Sequence, residues 1–304
     1  AMYRYLAVVP VWWFGLNEFS IRLPAALAGI LTVLFLYLLV RRLFDERAAF
    51  FAALMLAISP WHIVFSRVAF RGILLPLFLI MGLYLLMVGL KRPKVLLGAA
   101  VALALSLWTY SPARVFVPLF AMGLVILYRR ELAAAGRWAV AAGVLFLAAG
   151  AFLATFWVSP EGLSRAGYTI TRDPIQWVLN YLTYFDPRFL WISGDPSARH
   201  HLPGMGELHW IEVLMVPLGL VALARRRSAA GALLLVWLVL YPVPAALTEG
   251  RHALRAIVGA PLMAVLSGIG ISWLVGYVQR RRIVWRVALA AGLAAGMALL
   301  GVRL

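Results

Sequence analysis

Ten apolar runs recur along the 304 residues, near 24–40, 48–64, 72–90, 95–110, 113–128, 138–157, 210–224, 231–247, 256–278 and 284–302. Each approaches the roughly 17–25 residues that a helix needs to cross a hydrocarbon core. Backbone N–H and C=O groups in lipid must be satisfied inside their own segment, so such runs fold as helices. Only 13% of the residues are charged and 64% are hydrophobic, against about 25% charged in soluble domains. The expected fold is all-α: a polytopic transmembrane helix bundle of about ten spans with a helical outer loop. It forms one domain over 1–304, with an outer juxtamembrane segment at 1–23 and a long outer loop at 159–209. Several runs are at the short end, as where helices line a cavity or the bilayer thins.

The charges give an orientation. Alternate connections at Arg41–Arg47, Lys91–Lys94, Arg129–Arg137, Arg225–Arg227 and Arg280–Arg286 hold 16 of the 28 Lys and Arg residues, with only Asp45, Glu46 and Glu131 as acids. Short connections rich in Lys and Arg stay in the cytoplasm. The N-terminus, the 159–209 loop and the C-terminus are then expected to face outward, in a multi-pass protein of the plasma (inner) membrane. The net charge of +17 is thereby placed beside anionic headgroups, and nucleic acid is excluded as a partner.

The outer face carries the unusual material. Tyr3–Phe14 is aromatic-rich and too short to span; Tyr3, Tyr5, Trp12 and Trp13 suit a helix lying in the interface. In the long loop, Asp173 reads as an N-cap, Pro174 as the first helical residue and Gln176 as the partner closing a capping box. Trp177, Val178, Tyr181, Leu182 and Phe185 follow with helical spacing, predicting an interfacial amphipathic helix over Asp173–Phe185. Beyond it, Asp195, His200, His201, Glu207 and His209 crowd into irregular backbone. Zinc can use such residues, but no helical pair at ligand spacing is present, and adjacent His200 and His201 need not point the same way. Solvated loop histidines are the simpler reading, so a divalent metal is possible but not favoured, and no cofactor is required.

Cationic residues sit at outer helix ends: Arg67 and Arg71 in SPWHIVFSRVAFRG, Arg114 in TYSPAR, and Arg251, His252 and Arg255 in TEGRHALR. Their placement runs against the insertion bias, and arginine offers a fork of donors that fits phosphate. As a group they read as a lipid-phosphate site; pairing with Glu18, Glu161 or Glu249, or snorkelling, is the alternative. If helix resumes at Arg251, then Arg251 and Arg255 share one face at the start of the 256–278 span. Glu18 and Arg22, four residues apart at the entry to a span, look structural.

FGLNEFSIRLPAALAGILTVLFLYLLVRRLF, followed by SPWHIVFSRVAFRGILLP, resembles the start of GT-C glycosyltransferases. The similarity is to protein O-mannosyltransferases and bacterial aminoarabinose transferases acting on lipid A. YLTYFDPRFLWISGDPSARHHLPGMGELHWIE and PAALTEGRHALRAIVGAP are similar to outer-loop motifs of bacterial members, and the resemblance runs from about Tyr3 to Gly270. It implies transfer of a sugar from a polyprenyl-phosphate donor to an acceptor protein, lipid or glycan on the outer face. An acceptor hydroxyl attacks the anomeric carbon and the lipid phosphate leaves; an acid acts as general base and cations stabilise the leaving group. In the family that acid follows a first transmembrane helix and precedes the stretch matching MYRYLAVVP. The catalytic acid is therefore expected upstream of Ala1, in a core shortened at its N-terminus. Asp195, His200, His201 and Glu207 are the candidates for the donor or acceptor loop. A non-catalytic polyprenyl-linked sugar translocase or a membrane scaffold is the alternative reading.

Overall fold

The computed structural model describes residues 2–157, 170–248, 250–279 and 283–301. Helices account for every apolar run. In chain order they are α1 (Met2–Phe14), α2 (Glu18–Leu43), α3 (Glu46–Ile58), α4 (Pro60–Arg67), α5 (Leu74–Gly89), α6 (Leu96–Thr109), α7 (Ala113–Leu127), α8 (Arg129–Ala134), α9 (Arg137–Trp157), α10 (Pro174–Thr183), α11 (Glu212–Arg226), α12 (Ala229–Leu240), α13 (Gly259–Gln279) and α14 (Ile283–Gly301). Short connections carry their own stop and start signals. The Asn17 side chain accepts the Ser20 N–H and the Ser20 hydroxyl faces back to the Asn17 N–H, closing a capping box on α2. Asp45 caps α3 and Ser228 caps α12. Arg41 and Arg42 end α2 and Arg225 and Arg226 end α11, where the helix dipole favours positive charge.

Among the described residues, five helical stretches are individually long and apolar enough to cross a membrane: Glu18–Leu43, Arg71–Gly89, Arg137–Thr155, Ala229–Ala246 and Gly259–Gln279. The run expected over 48–64 is two helices, α3 and α4, bent by 57° at Ser59, which together have the length and composition of a broken span or a re-entrant loop. The break follows from Pro60, which has no N–H to continue the ladder, and from Ser59, whose hydroxyl caps the new helix at the His62 N–H. Pro93–Thr109, Ala113–Leu127 and Val287–Ala298 are apolar but shorter. Of the ten expected spans, five are full-length helices, one is the bent α3/α4 pair, three are shorter apolar helices, and the run over 210–224 is the 15-residue α11.

The centre of the bundle is α13, packed between α3 and α11, with α2 linking α3 to α5. Glycine permits the closest crossings. A Cβ on Gly270 would lie 2.1 Å from the Met215 carbonyl oxygen, one on Gly219 2.1 Å from that of Leu266, and one on Gly268 2.4 Å from the Ala52 nitrogen. This small-residue seam is how membrane helices gain packing where no hydrophobic drive separates them from lipid. Near one of these crossings Glu212, at the start of α11, accepts the Ser267 hydroxyl and the His209 N–H, so this buried carboxylate is hydrogen-bonded.

The two expected surface helices are present. In α1 the Tyr3 hydroxyl donates to the Ile21 carbonyl at 2.8 Å, while Trp12 and Trp13 project outward. In α10, Asp173 caps the Ile175 N–H, but there is no capping box: Gln176 reaches forward to Asn180 along the helix face instead. Trp177, Tyr181 and Phe185 turn onto the spans beneath, and Ile175, Val178, Leu179 and Leu182 point away.

Candidate functional site

The site lies where the bent α3/α4 pair, the turn before α5, the loop after α10 and the segment before α13 meet. The bend at Ser59 leaves the Ile58 carbonyl outside the helical ladder. His209 closes it with an Nε2–H bond of 2.8 Å. That carbonyl can only accept, so the proton sits on Nε2, and burial lowers the His209 pKa, keeping the ring neutral. After α4 the chain runs through Phe70 into the helical turn Arg71–Ile73. That turn is seated against the segment before α13, since a Cβ on Gly72 would meet the Leu254 side chain at 2.5 Å.

From the other side, α10 is followed by a π-helical turn at Arg188–Ile192 and by Gly194, whose φ of +68° reverses the chain. This delivers Asp195 to a nearly solvent-free position. Its Oδ1 accepts the Ser197 N–H at 2.7 Å. Its Oδ2 accepts the Ala253 N–H at 2.7 Å and faces His200 Nδ1 at 3.1 Å and His252 Nδ1 at 3.5 Å. The rings of His200 and His252 stack, with centroids 4.7 Å apart and planes 24° apart, and Phe65 and Phe70 wall the His200 ring. Burial alone would raise the Asp195 pKa. The hydrogen bonds from His200, Ser197 and Ala253 and the nearby His252 outweigh it, and the pKa falls.

Glu207 lies directly behind. Its Oε1 accepts the Asp195 N–H at 3.0 Å, and its Oε2 has no hydrogen-bond partner among the described residues. Burial is the main cause that lifts its pKa well above the usual range; the Asp195 N–H opposes this, and the Asp195 charge adds to it.

The candidates predicted from sequence are redistributed accordingly. Asp195, His200 and Glu207 come together. His201 does not join them: its Nδ1–H donates to the Ser197 carbonyl at 3.0 Å. His252, grouped above with the arginines, belongs instead with Asp195 and His200. Helix does not resume at Arg251. Arg251 adopts a left-handed φ of +49°, turns occupy 253–258, and α13 starts only at Gly259. Arg251 and Arg255 therefore share no helical face, and Arg255 is not at the start of α13. The cause is pinning from across the chain: Thr183 Oγ1 accepts the Arg251 N–H, Tyr184 the His252 N–H and Asp195 the Ala253 N–H.

Arg71 and Arg114 do converge. Arg71 stacks over the Tyr110 ring at 5.4 Å, and Arg114, at the start of α7, is close enough for the two like charges to interact. Among the described residues, Arg67, Arg71 and Arg251 form no ion pair, whereas Glu18 pairs with Arg22 at 3.2 Å. Glu161 and Glu249, considered above as arginine partners, lie outside the described residues. The roles of Phe65, Phe70 and Tyr110 were not read from sequence, where they look like ordinary span-end aromatics.

Fold and site together define a polytopic helical membrane protein of the GT-C type. Residues 2–153, half of the chain, match the family model described as dolichyl-phosphate-mannose-protein mannosyltransferase, and the chain belongs to that family. Among curated proteins, the putative mannosyltransferase YkcB of Bacillus subtilis is 34% identical over 83 residues, which is 27% of this chain and 12% of that protein. The structure of ArnT from Cupriavidus metallidurans bound to undecaprenyl phosphate matches 98% of this chain and 53% of its own, with a TM-score of 0.66 and 16% identity. Archaeal oligosaccharyltransferase AglB from Archaeoglobus fulgidus, in complex with an inhibitory peptide and a dolichol-phosphate, matches with a TM-score of 0.64 and 15% identity, covering 97% of this chain and 46% of that one. The chain spans about half the length of these solved structures. At such identities the likeness is one of fold.

Proposed function

We propose that the chain is the membrane core of a glycosyltransferase that takes a sugar from a polyprenyl-phosphate donor and passes it to an acceptor hydroxyl at the outer face of the plasma membrane. The observation that carries this is the approach of Arg71 and Arg114 beside Tyr110, with Phe70, the residue before Arg71, packed on His200 of the Asp195 cluster. A guanidinium fork fits phosphate oxygens, and two of them near one outer helix end offer several such donors. Family membership supports the reading, and so do the undecaprenyl phosphate in the ArnT structure and the dolichol-phosphate in that of AglB. In the transfer the acceptor oxygen forms the bond to the anomeric carbon, its proton passes to a carboxylate general base, the bond from that carbon to the phosphate oxygen breaks, and the electron pair leaves with the lipid phosphate. Arg71 and Arg114 hold that phosphate as its charge grows. The lipid reaches them sideways from the bilayer, and α10 covers the site from above.

The test uses the full-length protein in proteoliposomes with radiolabelled undecaprenyl- and dolichyl-phosphate mannose and a membrane extract as acceptor. Label should move from lipid to acceptor, and Arg71→Ala combined with Arg114→Ala should stop it. Binding of the lipid without any transfer would point to the carrier reading instead. Orientation has its own test, helped by the absence of cysteine. Cysteines introduced at the exposed Ala198 and Ala229 should label oppositely with an impermeant reagent in intact cells, with Ala198→Cys reactive. Labelling of Ala229→Cys alone would invert the topology.

A further inference from the structure

We propose that Asp195, His200 and His252 form a divalent transition-metal site of the zinc type that ties the loop after α10 to the segment before α13. Among the described residues these three offer ligand atoms that all lie within 4.8 Å of one another. Asp195 Oδ2 is 3.1 Å from His200 Nδ1 and 3.5 Å from His252 Nδ1. A tetrahedral ion with bonds of about 2.0–2.1 Å has donor atoms about 3.3–3.4 Å apart along each edge, so the carboxylate-to-imidazole spacings already match. Two imidazoles and one carboxylate select zinc-like ions over magnesium or calcium, which prefer all-oxygen shells. Three protein ligands leave a fourth position for water or an anionic oxygen.

The surroundings argue for a cation independently of the spacing. Glu207 is 1% exposed, is held on the Asp195 N–H and has its second oxygen without a partner among the described residues. A buried carboxyl group held on the backbone of a second buried acid places two acids close together, and burying charge there is costly unless positive charge lies beside it. The outer shell is also in place: the Ser197 and Ala253 N–H groups fix both oxygens of Asp195, as partners orient metal-bound carboxylates. One adjustment is required. The two rings now stack with planes 24° apart, so the His252 ring must swing about its side-chain bonds to point Nδ1 at the ion. Its side chain is 15% exposed, so the swing does not have to open a closed core.

The test is metal binding by the purified full chain after chelator treatment. Zinc titrated calorimetrically should bind with one-to-one stoichiometry and raise the melting temperature, and cobalt(II) should give the visible bands of a tetrahedral nitrogen–oxygen site. His200→Ala and His252→Ala should each weaken zinc binding by about tenfold or more. His201→Ala should bind as the unaltered protein does, because that ring faces the Ser197 carbonyl. Absence of zinc and cobalt binding in the unaltered chain would overturn the proposal whether or not any variant folds, leaving a hydrogen-bonded Asp–His cluster. Full-strength binding by His252→Ala would overturn it as well.

Discussion

Gly270→Leu should yield no monodisperse protein after extraction into detergent, while Gly143→Leu should purify and melt like the unaltered chain. A Cβ at position 270 would sit 2.1 Å from the Met215 carbonyl oxygen and 3.0 Å from the Gly219 nitrogen. Both neighbours are backbone, so no flexible side chain can give way, and α11 and α13 must move apart as units. Separation would also open the Gly219 crossing, where the Leu266 carbonyl is equally close, and would pull on the Glu212–Ser267 bond. Even Gly270→Ala is expected to exceed the ~1–3 kcal/mol typical of an overpacked core. At Gly143, in α9, a Cβ meets nothing within 4 Å. Size-exclusion profiles and thermal unfolding in one detergent check both, and an unchanged melting curve for Gly270→Leu would show that the packing of α11 on α13 is misplaced.

Arg71→Ala and Arg114→Ala should each lower the affinity for undecaprenyl phosphate about ten- to a hundredfold. Each removes one charge-assisted interaction, worth roughly 1.5–3 kcal/mol. Arg71→Lys should recover only part of the loss, because a point charge replaces the fork and the face-on stacking over Tyr110 goes with it. Arg22→Ala is the control, since Arg22 is already paired with Glu18 on an exposed surface. Lipid binding measured on reconstituted protein decides. Undiminished affinity in a folded Arg71→Ala/Arg114→Ala protein would move the phosphate to Arg67, Arg251 or Arg255.

The spans were legible because apolar runs of that length have few other fates, and the short connections carry their own caps and basic ends. The amphipathic α10 was legible for the same reason: a cap, a proline and an apolar stripe are local signals. What escaped depends on contacts distant in sequence. Arg251–Arg255 has a good helical spacing, yet Thr183, Tyr184 and Asp195 hold its backbone N–H groups in turns. The same pinning moved His252 from the arginines to an aspartate 57 residues earlier, which no periodicity could reveal. His201 was an equal candidate to His200 in sequence; the turn at Gly194 and Asp195 chose between them. The pairing of Arg71 with Tyr110 likewise needs α5 and α6 side by side before it exists.

Residues of α10 and the segment leading to α13 are joined by a row of bonds. The Tyr181 hydroxyl donates to the Val239 carbonyl, Asn180 donates to that of Ala246, the Tyr241 hydroxyl donates to that of Tyr184, and Thr183 and Tyr184 accept the N–H groups of Arg251 and His252. Each of these runs between a side chain on one strip and the main chain of the other. The two strips, some sixty residues apart, therefore share one fate in sequence drift. The main chain of 239–252 keeps its course only while Asn180, Tyr181, Thr183 and Tyr184 keep their polar atoms, whereas the outward-facing Ile175, Val178, Leu179 and Leu182 are free to exchange with any other apolar residue. Variation should gather on that outer stripe and leave the inner one unchanged.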